Sequence, residues 1–349
     1  MPPESQRDFR SMTMKPALIS AVKVVVTAAI IFTIGSALGQ NWPAVARTAT
    51  HLDATWLGVA FAICLAYRVA NACGWPLVLS ALRRHMPMAR GARLWLVSET
   101  MRWLPGSVWG FYSRVHQARK IGVPPATASM SVPLELILTI AAWTITAIAG
   151  LGSSGVLTNW LSQFSASRLG AAAGIALGTF AFGLLLARRF PENRHAKKAR
   201  GFAADLRAVF AERPRVSLLL ATFALYLVLC VLNGLAFYAL IRAFTPATPS
   251  PSVVVGINAV GWLVGFFAVC APGGLGVREG GMTALLAPLV PMEIAIGSVL
   301  AWRLMQIAVE IACLAACFIP DGFRFAKTWL RPPDSLANFA AAVRTDEAA

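Results

Sequence analysis

The chain has 349 residues, of which 57% are hydrophobic and 13% carry a charge, whereas about 25% of the residues are charged in a typical soluble domain. This composition excludes a soluble globular protein and indicates an integral membrane protein. The net charge of +16 is also found in proteins that bind nucleic acid, but the basic residues cluster in loops between apolar runs, so we expect no nucleic-acid partner.

Six apolar runs are long enough to cross a bilayer, because about 20 helical residues span about 30 Å of hydrocarbon. They cover residues 17–39, 54–82, 128–150, 166–187, 216–241 and 294–319. The first run is longer than a signal-peptide core of about 7–15 residues and has no clear cleavage site, so we expect an uncleaved signal anchor. The predicted fold class is an all-α polytopic helical bundle in a membrane.

Lysine and arginine residues are concentrated in particular loops. Residues 188–215 contain nine of them, whereas residues 151–165 contain none. Because cytoplasmic loops carry the excess of Lys and Arg, we expect loop 188–215 to be cytoplasmic. The tails at 1–16 and 321–349 are also basic, so we expect both in the cytoplasm, the second one disordered.

Two further segments, 92–120 and 252–290, contain Pro-Gly interruptions. A shift of 167 residues aligns them: Trp-Leu-Val, seven residues, Pro-Gly, seventeen residues and Pro, beginning at Trp95 and at Trp262. We interpret this register as an internal repeat; the alternative is a chance match in an apolar chain of low diversity.

The predicted repeat divides the membrane region into 17–151 and 152–320. Three predicted spans separate the two broken segments, so the second copy enters from the opposite side of the membrane, as in inverted-topology repeats. Each half contains three full spans and one re-entrant hairpin, and the total becomes eight spans if the hairpins cross. In transporters such repeats place the binding site near the bilayer midplane, between the broken segments.

The break in the second hairpin predicts a polar cavity, because backbone that leaves a helix at membrane depth must be buried in protein or face water. The candidate substrate-binding residues there are Pro272, Gly273, Gly274, Gly276, Arg278 and Glu279, with Pro105 and Gly106 in the first hairpin. Arg278 has the planar fork that suits phosphate, and Glu279 either pairs with it or holds a cationic headgroup. Close packing at the glycines and an interfacial ion pair are the alternative.

Three charges in the apolar spans extend the candidate site. Glu135 and Arg303 occupy nearly equivalent positions of the two repeats. A charge near the bilayer centre costs about 2.5–3.5 kcal/mol, so we predict that Glu135 and Arg303 pair across the repeat axis; alternatively, each lies within reach of an interface. Glu310, two helical turns after Arg303, is predicted to line the same cavity.

Five further polar residues have two readings each. Arg68 and Asn71 share one helix face, which fits either a cavity wall or an ordinary interhelical hydrogen bond. Glu99, Arg102 and Arg114 fit either headgroup contacts or a solvated face. The four histidines are scattered along the sequence, and the six cysteines lie in apolar segments. We therefore expect no metal site, no disulfide and no cofactor.

The strings RWLPGSVWGF and APGGLGVREGG, followed by LVP and WRL, resemble the transmembrane domain of the bacterial lysylphosphatidylglycerol synthase/flippase family over about residues 17–320. The resemblance implies a translocator of aminoacylated or related phospholipids in the bacterial inner membrane, with the synthase on a separate soluble domain. A polyprenyl-linked or anionic lipid is equally compatible with the sequence. About 30 residues follow the last predicted span, too few for that domain, so we expect no enzyme. A headgroup-modifying membrane enzyme with Glu279 or Glu135 as base, a non-catalytic partner of such an enzyme and a homo-oligomer stay open.

The predicted topology is testable by cysteine labelling in intact cells, on a background in which the six native cysteines are replaced. Cysteines at Gly155 and Ala247 should react with an impermeant maleimide, because both positions are predicted to be periplasmic. A cysteine at Lys198 should be protected until the cells are permeabilised. Labelling of position 198 from outside would contradict the inverted arrangement.

Overall fold

The computed structural model describes residues 52–103, 109–152, 154–156, 212–268, 274 and 276–318. The regular elements in these ranges are helices: α1 (Ala54–Ala72), α2 (Gly74–Ala81), α3 (Met88–Glu99) with a 3-10 turn after it (Thr100–Trp103), α4 (Trp109–Lys120), α5 (Pro125–Leu151), α6 (Arg213–Phe244), α7 (Pro251–Phe267), α8 (Val277–Leu286) and α9 (Met292–Phe318). The predicted all-helical membrane fold is confirmed.

Four helical segments of the described chain are long and apolar enough to cross a membrane: Ala54–Ala81, which joins α1 and α2, and the helices α5, α6 and α9. They agree with the predicted spans at 54–82, 128–150, 216–241 and 294–319. The predicted spans at 17–39 and 166–187, most of loop 188–215 and both tails lie outside the described residues.

Local sequence signals explain where these helices begin. The carboxylate of Asp53 accepts hydrogen bonds from the N–H groups of Thr55 at 2.8 Å and Trp56 at 3.3 Å, which is the usual N-cap arrangement. Proline opens α5 and α7, at Pro125 and Pro251, where the fixed backbone angle suits a helix and the missing N–H is not needed.

Helix boundaries in the second half repeat those in the first half at the 167-residue offset. Helices α5 and α9 both contain 27 residues, and each directly follows a proline, Pro124 or Pro291. Helices α4 and α8 coincide to within one residue at each end under the same shift. Ser131 and Ser298, also equivalent, are buried and each donates a hydrogen bond to the carbonyl three residues earlier. These matches support the internal repeat, while the opposite orientation of the two halves stays a prediction.

Helix α6 lies centrally and packs against α1, α2, α5 and α7. Tyr226 of α6 lies directly over Gly74 of α2, where an added Cβ atom would be 2.3 Å from the tyrosine oxygen. The absence of a side chain at Gly74 therefore lets the Tyr226 hydroxyl reach Glu135 of α5, at 3.4 Å. Close packing at α6 thus contributes directly to the polar interior.

Helices α5 and α7 approach each other backbone to backbone. A Cβ atom added to Gly150 would lie 2.6 Å from the carbonyl oxygen of Ser252 and 2.7 Å from the Cα atom of Gly256. Small residues permit such contacts in membrane helices, whose association depends on van der Waals packing. The contact holds α7 against α5, where the rings of Trp262 and Trp143 stack with centroids 5.1 Å apart.

Replacing Gly150 by alanine is expected to force α5 and α7 apart and to lower the free energy of unfolding by about 1–3 kcal/mol, as overpacking does. The thermal unfolding midpoint of the detergent-solubilised protein measures this effect. The matched control is Gly58→Ala in α1, since an added Cβ atom there meets no described atom within 4 Å. We expect its midpoint to equal or exceed that of the wild type, because alanine favours a helix. An unchanged midpoint in Gly150→Ala would show that the two helices have room to spare.

Candidate functional site

A cavity lies inside the bundle, with lining residues from α1 and from all the helices α3 to α9. The volume open to the centres of water molecules is about 140 Å³. A water molecule takes up about 30 Å³ in the liquid, so the cavity has room for about five. It is therefore large enough for a small polar group and not merely for a single ion.

The cavity is rich in charged side chains. Seven of them line it: Arg68, Arg114, Arg278, Arg303, Glu99, Glu135 and Glu310. An eighth, Glu279, contacts Arg303 from α8. This part of the described chain therefore brings together four arginines and four glutamates. Because each charge near the bilayer centre is costly, these side chains need partners of opposite charge.

Arg114 of α4 binds two carboxylates at once. Its Nη2 atom lies 2.6 Å from Oε1 of Glu99, and its Nη1 donates to Oε2 of Glu135. The Nε–H donates to Oγ of Ser98 at 3.0 Å. The guanidinium group also lies over the ring of Trp95, 5.3 Å from its centroid, and Arg114 is only 1% exposed. The arginine is thus a fixed part of the cavity wall.

Glu135 of α5 is held by three side chains. In addition to the ion pair with Arg114, its Oε1 atom accepts a hydrogen bond from the indole N–H of Trp95 at 2.7 Å and one from the hydroxyl of Tyr226 at 3.4 Å. The partners come from α3, α4 and α6, and all are buried. One carboxylate therefore joins four helices.

The predicted pairing of Glu135 with Arg303 is wrong. Glu135 binds Arg114, and the Nε atom of Arg303 lies 3.5 Å from Oε1 of Glu279. The physical reason is that a nearer partner is available inside each repeat, on the short helix that precedes the long one. In the first half the arginine lies on α4 and the glutamate on α5, whereas in the second half the glutamate lies on α8 and the arginine on α9.

A fourth ion pair connects the first and last long helices of the described chain. Nη2 of Arg68 in α1 lies 3.0 Å from Oε1 of Glu310 in α9, and the guanidinium group stands over Trp95, 5.2 Å from the ring centroid. Arg68 and Asn71 both line the cavity, so the cavity-wall interpretation of these two residues is correct.

The alternative of a solvated face is wrong for Glu99 and Arg114. Both side chains are buried and line the cavity. The side chain of Arg102, the third residue of that group, lies outside the described part of the chain. Sequence periodicity alone did not distinguish a charged face in water from one that surrounds an internal cavity, because both place the charges on the same side of a helix.

The second hairpin reaches the cavity through its glycines. Gly274 and Gly276 have φ angles of +73° and +79°, in the left-handed region that favours glycine. A Cβ atom added to Gly274 would lie 2.7 Å from the Cα atom of Gly265 in α7. The backbone at Gly274 therefore lies directly against the backbone of α7 at Gly265.

The same contact positions Arg278 and Glu279 at the start of α8. A Cβ atom added to Gly265 would lie 2.9 Å from the Cβ atom of Arg278, so the arginine stem packs against α7 where no side chain intervenes. The Glu279 carboxylate accepts a hydrogen bond from the N–H of Gly276 at 2.7 Å. Glu279 therefore connects the start of α8 to Arg303 of α9.

The structure brings most of the described candidate residues together. Those on the cavity wall are Gly274, Arg278, Glu135, Arg303 and Glu310. Glu279 and Gly276 adjoin them through the contacts above. Pro105, Gly106, Pro272 and Gly273 lie outside the described residues. Binding of a substrate by these side chains stays a prediction.

Sequence reasoning missed two features of the cavity. Its aromatic side includes Trp143, Trp262 and Phe266, whose successive ring centroids are 5.1 and 5.2 Å apart. Asn233, in the apolar run of α6, also lines the cavity and pairs with Asn258 of α7. A usable signal was present, since polar side chains within membrane spans are rare and are often functional.

A double-mutant cycle distinguishes the observed pairing from the predicted one. Arg114→Gln should lower the free energy of unfolding by about 3–5 kcal/mol, because it leaves Glu99 and Glu135 buried without their cation. Glu135→Gln should cost less, because Arg114 keeps its contact with Glu99. The double mutant should lose clearly less than the sum. The matched control pair, Glu135→Gln with Arg303→Gln, should be additive to within about 0.5 kcal/mol. Additive losses for Glu135 and Arg114 would contradict the ion pair.

Comparison with known proteins agrees with this architecture. No curated protein shows significant similarity to the chain. The family described as the lysylphosphatidylglycerol synthase TM region, in contrast, matches residues 20–313, a range that includes every described helix up to most of α9 and all the charged residues of the cavity. The resemblance carried by the two Pro-Gly segments is thereby confirmed, and the chain belongs to the lysylphosphatidylglycerol synthase transmembrane-region family.

Proposed function

We propose that the cavity receives the polar headgroup of a phospholipid or a lipid-linked substrate, and that the protein moves this lipid between the leaflets of the bacterial inner membrane. The observation that carries the proposal is the cavity itself, where four arginines and four glutamates meet inside a bundle of apolar helices. Apolar side chains would fill that space without the cost of burying charge, so the polar lining indicates a polar ligand.

The chemistry of the lining favours an amphipathic ligand. Guanidinium and carboxylate groups suit the phosphate and the other polar groups of a lipid head. The stacked rings of Trp143, Trp262 and Phe266 provide an apolar wall beside them. Family membership points in the same direction, since the family is named for the membrane region of a phospholipid synthase.

Arg278 is the residue we assign to the phosphate. It lies in the first turn of α8, where helix N–H groups favour a negative charge, and it lines the cavity while its stem rests on Gly265. A guanidinium group binds two phosphate oxygens in one plane. The packing of the stem fixes the direction of the fork, which reduces the entropy lost when a ligand binds.

The pairing of the carboxylates favours binding over acid–base chemistry. A general base needs to accept a proton from its substrate, but Glu135 is already engaged by Arg114, Trp95 and Tyr226. Glu279 is engaged by Arg303 and by the N–H of Gly276. These contacts support the assignment of both residues to the architecture of the binding site.

Reconstitution separates the candidate functions. The purified protein is placed in liposomes that contain tail-labelled fluorescent phospholipids, and a reducing agent outside bleaches only the outer leaflet. Additional bleaching relative to protein-free liposomes, with chemically unchanged lipid, supports translocation. A modified lipid would identify a headgroup enzyme, and neither result would favour a non-catalytic partner of such an enzyme.

Arg278→Lys is expected to reduce leaflet exchange about tenfold or more, because a lysine is a point charge and does not replace the bidentate fork. The amount of protein in the membrane should stay normal, since the charge is retained. The matched control is Arg119→Lys, at an exposed position near the end of α4, which should exchange lipid at the wild-type rate. Full activity of Arg278→Lys would reject the phosphate role of this arginine.

A further inference from the structure

Three buried polar side chains form a hydrogen-bonded chain across the second half of the protein. The indole N–H of Trp302 in α9 donates to Oδ1 of Asn258 in α7 at 3.1 Å. Nδ2 of Asn258 donates to Oδ1 of Asn233 in α6 at 2.8 Å. The three residues are between 0% and 1% exposed. Asn233, the last member of this series of hydrogen bonds, lines the cavity.

The direction of this chain follows from the chemistry of its first member. The oxygen and nitrogen of an asparagine amide are hard to distinguish by position alone, but a tryptophan indole only donates. Oδ1 of Asn258 must therefore face Trp302, and its Nδ2 must face Asn233. It follows that Asn233 turns its own oxygen towards Asn258 and directs its Nδ2 donor elsewhere.

The remaining donor of Asn233 is not satisfied within the described part of the protein. Its Nδ2 atom is buried and has no hydrogen-bond partner among the residues that the structure describes. A buried donor is costly to leave unmet, and Asn233 borders the cavity. The chain of hydrogen bonds thus holds an unmet N–H donor at the α6 wall and prevents the amide from turning over.

We infer that Asn233 is a ligand-binding residue whose amide N–H donates to an acceptor oxygen of the cavity ligand. The inference rests on the proposed function and specifies its substrate: the part of the lipid that meets α6 carries a phosphate oxygen or an ester carbonyl, not an ammonium group. An ammonium group offers only donors and is not a partner for this N–H. Asn258 and Trp302 act as positioning residues, because they fix which face of the amide the ligand meets.

Three single-chain amphiphiles test this chemistry on the purified full-length protein: dodecyl phosphate, the uncharged ester dodecyl acetate, and dodecylammonium. Binding is followed by the fluorescence of the cavity tryptophans. In Asn233→Asp the oxygen that faces Asn258 is kept, but the unmet Nδ2 donor is replaced by an acceptor oxygen. We expect at least about a tenfold loss of affinity for the phosphate or the ester, as for one hydrogen bond to a charged or strongly polar group, and no loss for the ammonium.

A matched control separates hydrogen bonding from charge. Asn71→Asp adds the same negative charge to the cavity lining without touching the chain of amides, so its effect on phosphate binding measures electrostatics alone. The loss in Asn233→Asp should exceed the loss in Asn71→Asp. A loss for the phosphate only identifies a phosphate oxygen as the partner, and a loss for the ester identifies a carbonyl.

A second variant leaves Asn233 in place and covers the case in which Asn233→Asp does not fold. In Asn258→Asp, the new carboxylate accepts from both Trp302 and Asn233, so Asn233 must turn its oxygen to the cavity. We expect the same loss of affinity for the phosphate or the ester as in Asn233→Asp, and a gain of affinity for dodecylammonium. The inference is overturned if neither variant lowers the affinity for dodecyl phosphate or dodecyl acetate relative to that for dodecylammonium, or if the wild type binds no probe. An ordered water then satisfies the donor.

The outcomes also distinguish this inference from the proposed function. A wild-type protein that exchanges lipid in liposomes, with probe affinities unchanged in both variants, overturns the role of Asn233 alone. A protein that binds the probes and responds to the variants as expected, but exchanges no lipid, retains the acceptor-binding amide and overturns translocation.

Discussion

The burial of Arg114 between Glu99 and Glu135 determines much of the arrangement around it. A guanidinium group inside the bundle requires compensating charge and hydrogen bonds on every side, and these come from α3 and α5. Glu135 in turn requires Trp95 and Tyr226. Tyr226 reaches it only because Gly74 has no side chain. The positions of several helices thus follow from the need to satisfy one buried cation.

The two halves solve the same electrostatic problem with the signs exchanged. The short helix before the long one carries the arginine in the first half and the glutamate in the second. The geometry differs as well, since the first pair is deeply buried with several supporting hydrogen bonds, whereas Arg303 and Glu279 are 3.5 Å apart, with side chains that are 12% and 16% exposed. The ion pair of the second half is therefore the longer and more exposed of the two.

Much of the fold was predictable because it depends on long-range averages: apolar runs located the long helices to within a few residues. The partner of Glu135 was not predictable in this way, since the register shows that Glu135 and Arg303 occupy similar depths but not how far α4 lets Arg114 reach. The role of Asn233 was missed for a similar reason. Its significance depends on Asn258 and Trp302, which lie 25 and 69 residues away in the sequence.

The balance of charge in the cavity has an electrical consequence. The four arginines and four glutamates sum to zero, so a rearrangement that carries this part of the described protein together through the membrane field moves no net charge. A membrane potential does work of about 2.3 kcal/mol per unit charge for each 100 mV, and here that work would act on the ligand alone. A zwitterionic headgroup would then cross without electrical work, whereas an anionic one would move with or against the potential according to its direction.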